Sequence, residues 1–137
     1  LFNECKNTKN VNYFGFLKND KIKEKLKKMH IFAHPSIWPE TSCVAAIEAM
    51  AAGCEVVTTN LGALNETCSP FGKLINFEKK PEDLEVKYSE ALLKSVKDFW
   101  SKITQERLKL QRETINDKYS WGRRSEEWKK FFNSVRN

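Results

Sequence analysis

Long hydrophobic runs are missing from this sequence. Apolar stretches such as Cys43 to Ile47 fall far short of the roughly twenty residues that cross a bilayer, and no charged-then-apolar leader opens the chain. No membrane-spanning segment is therefore expected. The four cysteines, Cys5, Cys43, Cys54 and Cys68, form no C-x-x-C pair. A chain of this size with a good core needs no disulfide, so a reducing, cytoplasmic setting is expected, with the thiols acting as small apolar groups. There is no Asp-x-Asp, and the two histidines and four cysteines lack ligand spacing. Neither a metal site nor a cofactor is expected.

What is present reads as one globular domain over residues 1–137, with 40% hydrophobic and 31% charged residues and with nine Phe, four Trp and three Tyr to fill a core. The net charge of +6 arises from 24 Lys and Arg against 18 Asp and Glu, and the excess lies in Lys18 to Lys28 and the C-terminal third. This favours acidic partners in a general way. The aromatics do not interleave with the basic residues as a base-stacking surface requires, which argues against nucleic acid. The basic helix at Lys21 to Lys28 has two readings, a solvated face or a peripheral contact with an anionic membrane.

Along the chain, Val11 to Phe16 reads as a strand closed by Gly15 and the Asn19-Asp20 turn signal. A helix follows, capped by Asn19 or Asp20, with Ile22, Leu26 and Met29 at helical spacing. His30 to His34 is a second strand, stopped by Pro35. Ser42 to Ala52 reads as a buried helix, apolar on nearly every side and ended by Gly53. Cys54 to Thr58 is the next strand, Gly62 to Glu66 a loop or helical turn, and Lys73 to Phe77 a last strand before a helix starting at Pro81. The tail, about residues 81–137, carries only helix signals: Leu84 to Val96, Ile103 to Ile115 and Trp121 to Val135. Trp121, Trp128, Phe131 and Phe132 would dock it on something. The alternation implies an α/β fold, a Rossmann-like parallel sheet flanked by helices with a C-terminal helical tail.

Ligands of such sheets collect at the carboxyl ends of the strands. Two loops leave there: Pro35 to Thr41 and Thr59 to Glu66. Both run into helix starts, whose free N–H groups suit phosphate or sugar oxygens. Glu48 is the one ionisable residue in its apolar helix, and a buried carboxylate requires partners. It lies eight positions after Glu40, roughly 12 Å along a helix axis, a length that suits an extended diphosphate-linked ligand. Taken alone, Glu48 is also explained by a salt bridge, and Glu40 by the helix dipole. His34, at a strand end beside this cleft, reads as a hydrogen-bonded structural histidine, and Cys43 as a packing residue.

Pro35-Ser36, Glu40 and Glu48 with seven residues between them, Glu48-Ala-Met-Ala-Ala-Gly53, Val56-Val57-Thr58 and Gly62-Ala-Leu-Asn-Glu66 together resemble the C-terminal domain of retaining glycosyltransferases of the GT-B fold with paired glutamates. Asn12 to Leu17 is similar to the strand and turn that approach the nucleotide base in that family, and Tyr119-Ser120-Trp121 to its aromatic-Ser-Trp near the chain end. The resemblance implies a hexosyltransferase whose substrate is a nucleoside-diphosphate sugar. Glu48 would hold the ribose hydroxyls, and Glu40, the catalytic candidate, would position the donor sugar and stabilise charge. The N–H groups of Thr41, Ser42 and Cys43 would hold sugar hydroxyls or phosphate oxygens, with Gly62 in the second loop and with Phe16 and Leu17 near the base. It also implies an N-terminal GT-B domain of the same protein as partner, and an acceptor that is a glycan, lipid or protein.

The chain departs from the family pattern where Thr41-Ser42-Cys43 replaces Gly-aromatic-Gly, and where Ala63 and Asn65 replace a Gly and a Pro. The basic pair that grips the diphosphate would precede Asn12 and is not contained here. Leu1 in place of Met suggests a fragment, expected to be inactive alone. Two alternatives remain at this stage, a nucleotide-sugar epimerase or non-catalytic relative of the same architecture, and a basic interaction module.

Overall fold

The computed structural model describes residues 2–136. A short helix α1 (Phe2–Asn7), for which the sequence carried no clear signal, precedes α2 (Asn19–Leu26), β1 (Ile31–His34), α3 (Val44–Ala52), β2 (Glu55–Thr59), α4 (Leu64–Cys68) and β3 (Lys73–Ile75). Three helices end the chain: α5 (Pro81–Asp98), α6 (Lys102–Lys118) and α7 (Trp121–Ser134). The strands form one parallel sheet in the order β1-β2-β3, with Ile31 opposite Glu55 and Val57 opposite Lys73. The protein is thus α/β, a Rossmann-like sheet flanked by helices. No helix among the described residues is long and apolar enough to cross a membrane.

β2 lies at the centre, and all five of its residues are buried. Val56 and the residues beside it pack against Met50, Leu64, Cys68 and Ile115 on one face of the sheet. On the other face Val57 packs with Ile75 and Tyr88 beneath α5. Consecutive side chains of a strand point to opposite faces, so a central strand covered on both sides needs the uninterrupted apolar run Val56-Val57. α3 ends at Gly53 in the left-handed conformation, φ +97°, where glycine bears no Cβ penalty. Its last carbonyls are met by α6: the Gln111 amide donates to Met50 and Cys54 carbonyls at 3.2 and 2.8 Å, and the Asn116 amide to Ala51 at 3.0 Å. Pro81 occupies the first turn of α5, where its missing N–H costs nothing. Ser101 and Ser120 cap α6 and α7, each accepting a backbone N–H three residues on.

Three expectations need correction. Val11 to Phe16 is not a strand; three strands are present among the described residues instead of four. No described strand pairs with this segment, and its aromatics are held locally instead: the Phe2 and Tyr13 rings are 5.8 Å apart, and Lys25 Nζ lies 3.4 Å from the Phe14 ring centre. Strand propensity reflects packing on a half-buried surface more than backbone preference, and that surface is absent. Neither Asn19 nor Asp20 caps α2. Its cap is Lys18, without a side-chain bond; Asn19 is already the first helical residue, and its amide nitrogen donates to Glu48. α3 is buried on one side only, through Ala46, Ala49 and Met50, while Val44 is 60% exposed. The tail aromatics Trp121, Trp128, Phe131 and Phe132 stand exposed, and α7 buries no residue.

Candidate functional site

The carboxyl ends of β1 and β2 are tied together by buried hydroxyls. Thr58 donates to the His34 carbonyl at 2.8 Å, and Thr59 to the Ser36 carbonyl at 2.7 Å. These bonds fix where the first loop leaves the sheet. The Ser36 hydroxyl then accepts from the Trp38 N–H and donates to the Trp38 carbonyl, turning the chain so that Ile37 and Trp38 face solvent.

Glu40 is thereby brought to the second loop, where it forms an isolated parallel bridge with Gly62. The Ala63 N–H donates to the Glu40 carbonyl at 2.7 Å. Gly62 has φ +60°, and a Cβ there would lie 2.6 Å from the Glu40 carbonyl oxygen and 2.7 Å from its nitrogen. Only glycine allows this approach. The two loops that diverge in sequence are thus fused into one rim.

On that rim the Glu40 carboxylate lies 3.6 Å from His34 Nε2, each side chain 30% exposed. The buried Cys43 thiol joins them, the three polar atoms lying within 4.8 Å of one another. His34 Nε2 is itself shielded from water and makes no hydrogen bond; the Glu40 carboxylate faces it at ion-pair distance. Sequence spacing missed this grouping. Its one local signal was the position of His34 at a strand end beside the cleft. The nitrogen, oxygen and sulfur are metal-ligand types, although nothing in their chain spacing suggested a ligand set.

Thr41 and Ser42 are exposed at the mouth, and Cys43 is the residue before α3. No backbone or side-chain acceptor among the described residues takes the N–H groups of Thr41, Ser42 or Cys43, and no side chain caps α3. The rim therefore presents free donors and the positive end of a helix, the arrangement that takes anionic or hydroxyl oxygens.

Glu48 is placed apart from Glu40, on the side of α3 that faces α2. The Asn19 amide donates to its two oxygens at 3.3 and 3.5 Å, and Lys23 Nζ lies 3.5 Å away. It borders a groove of about 510 Å³ whose far wall is Tyr119, Ser120 and Trp121. The local salt bridge that could account for an isolated glutamate is therefore present, but the carboxylate remains 23% exposed toward a groove. Phe16 stands 97% exposed, and Leu17 lines a separate hollow with Lys21 and Lys25. Only the continuation of that segment, at Asn19, reaches Glu48.

The family model described as Glycosyl transferases group 1 matches residues 1–110. No curated protein matches the chain.

Proposed function

Because the chain belongs to the group 1 glycosyl transferases, we propose that its rim and groove hold a nucleoside-diphosphate sugar and that transfer proceeds with retention of configuration. The observation that carries this reading is the Glu40–Gly62 junction, which sets a carboxylate beside free N–H donors at the carboxyl end of the sheet. In this reading Glu40 meets the sugar hydroxyls, the N–H groups of Thr41, Ser42 and Cys43 take sugar or phosphate oxygens, and Gly62 lets the second loop close on Glu40. Glu48, held by Asn19 and Lys23, takes the ribose hydroxyls, with the base toward Phe16 and Leu17. No metal or other cofactor is required for this binding.

The acceptor, whether glycan, lipid or protein, would be held by an N-terminal domain of the same protein, and the exposed aromatic face of α7 supplies apolar surface for that domain. Glu40 acts as a positioning and charge-stabilising group, and the leaving diphosphate takes the acceptor proton on the same face of the sugar. Calorimetry with a panel of nucleotide sugars on the intact protein tests the proposal. One donor should bind, and Glu48→Ala should weaken it. Binding by none, or binding indifferent to Glu48→Ala, would refute it. A product in which the sugar stays on its nucleotide with one carbon inverted would replace transfer by epimerisation.

A further inference from the structure

The amino ends of the strands, opposite the rim, carry a second concavity of about 430 Å³ between the end of α2, the turn at Gly53 and the α5–α6 corner. Lys27 and Lys28 line one wall, Lys109 and Arg112 the other, and His30 lies edge-on to Trp100 between them, ring centres 5.3 Å apart. None of these four cations has an ion-pair partner among the described residues. The nearby acids Glu24 and Glu106 are taken by Lys21 and Lys102 at 3.0 and 3.9 Å. Glu113 is the single acid on the wall, and it pairs with none of them. Four like charges around one hollow repel each other, and an external anion is what relieves that repulsion.

The apolar groups at the same corner decide between a small soluble anion and a surface. Trp100 is 73% exposed, Ile103 in the first turn of α6 81%, and Met29 47%. A free phosphate would use the cations and leave these residues in water. An indole and an aliphatic side chain standing out among lysines match a bilayer interface, where rings sit at headgroup level and lysine stems reach the phosphates. We propose that this face docks on an anionic phospholipid bilayer, the hollow taking a lipid phosphate headgroup and Trp100 and Ile103 entering the interface. The proposal is independent of the donor-site reading, since it uses neither Glu40 nor Glu48.

The test is co-sedimentation of the chain with vesicles of phosphatidylcholine alone and of phosphatidylcholine mixed with phosphatidylserine, at low and high salt. Binding should require the anionic lipid and fall with salt. It should weaken about tenfold or more in the double variant Lys109→Glu, Arg112→Glu and weaken in Trp100→Ala. These residues are exposed, so the variants should keep the wild-type circular dichroism spectrum. The variant Trp128→Ala, Phe132→Ala, which removes the α7 aromatic face, should bind as the wild type does. No vesicle binding, equal binding to phosphatidylcholine alone, loss in the α7 variant, or binding that survives the charge reversal would overturn the proposal. So would calorimetric binding of inorganic phosphate, lost on the charge reversal, in a chain that ignores vesicles.

Discussion

Gly62 packs its α-carbon against the backbone of Glu40 so closely that an added Cβ would stand 2.6 Å from the Glu40 carbonyl oxygen. The consequence is that the position of the candidate catalytic carboxylate depends on a residue in another loop. Gly62→Ala must either strain a backbone held at φ +60° or push the two loops apart. A cost of roughly 1–3 kcal/mol is expected from such strain, read by urea unfolding, together with weaker donor binding in calorimetry. An alanine variant with unchanged stability and affinity would show that the junction is not tight in solution.

Glu48 is held by one amide and one lysine, and the lysine is more than half exposed. Exposed ion pairs are worth at most about 1 kcal/mol, so Glu48→Ala should unfold within that margin of the wild type. If Glu48 instead receives ribose hydroxyls, bonds to a charged acceptor are worth about 1.5–3 kcal/mol, and donor affinity should fall roughly tenfold to a hundredfold. Lys23→Ala separates the roles: it removes the pairing and should leave most of the affinity. A large loss of stability in Glu48→Ala with no change in affinity would make this a structural residue.

Glu55 is a buried carboxylate on the central strand, fully shielded from solvent, and bound by Arg107 and by Lys73 Nζ at 3.3 Å. Arg107 also donates to the Phe71 carbonyl, so one guanidinium joins α6 to the sheet and to the loop before β3. Removing a single partner of a buried pair leaves an uncompensated charge and costs about 3–5 kcal/mol, whereas apolar replacement of both is often neutral. Arg107→Met leaves Glu55 paired with Lys73 alone and the Phe71 carbonyl without its donor, so stability should fall by less than that amount, and adding Glu55→Val should recover part of it. A double variant that is worse than Arg107→Met would contradict this account, and both are read by chemical denaturation.

Legibility in the sequence followed the range of the forces involved. Gly53 as a helix stop and Pro81 as a helix start depend on the residue's own backbone, and both are found where expected. Val56-Val57 as a buried strand depends on a local run, and it too is found. Val11 to Phe16 looks like a strand by the same composition, but a strand requires a neighbour, which no local pattern reports. Asn19 could have capped its helix, and its amide went to Glu48, 29 residues away. Glu55 meets Arg107 across 52 residues, and within Cys-Glu-Val-Val-Thr nothing distinguishes it from a solvated strand residue. The nearness of His34 to Glu40 likewise depends on the loop path set by Thr58, Thr59 and Gly62.

Alkaline pH should weaken the fold through groups that resist losing protons when buried. Burial, aided by the nearby Cys43, raises the Cys68 thiol from 9.0 to about 11, and burial raises Cys54 in the same direction. Burial likewise pushes the Tyr88 hydroxyl from 10.0 to about 12, outweighing the opposing effect of the His34 backbone. Each folded value lies above the unfolded one. Below about pH 9 both states hold these protons and the full stability is present; between about pH 9 and 12 the unfolded chain releases protons that the folded chain retains, and stability falls as pH rises. Urea unfolding should give a flat profile from pH 7 to 9 and a decline above it, shallower in Tyr88→Phe. The same burial predicts that a thiol reagent at neutral pH labels the half-buried Cys5 first and reaches Cys54 and Cys68 only on unfolding. Stability that rises above pH 9, or rapid labelling of Cys68 in the native chain, would mean that the face of β2 packed against α4 is open to water.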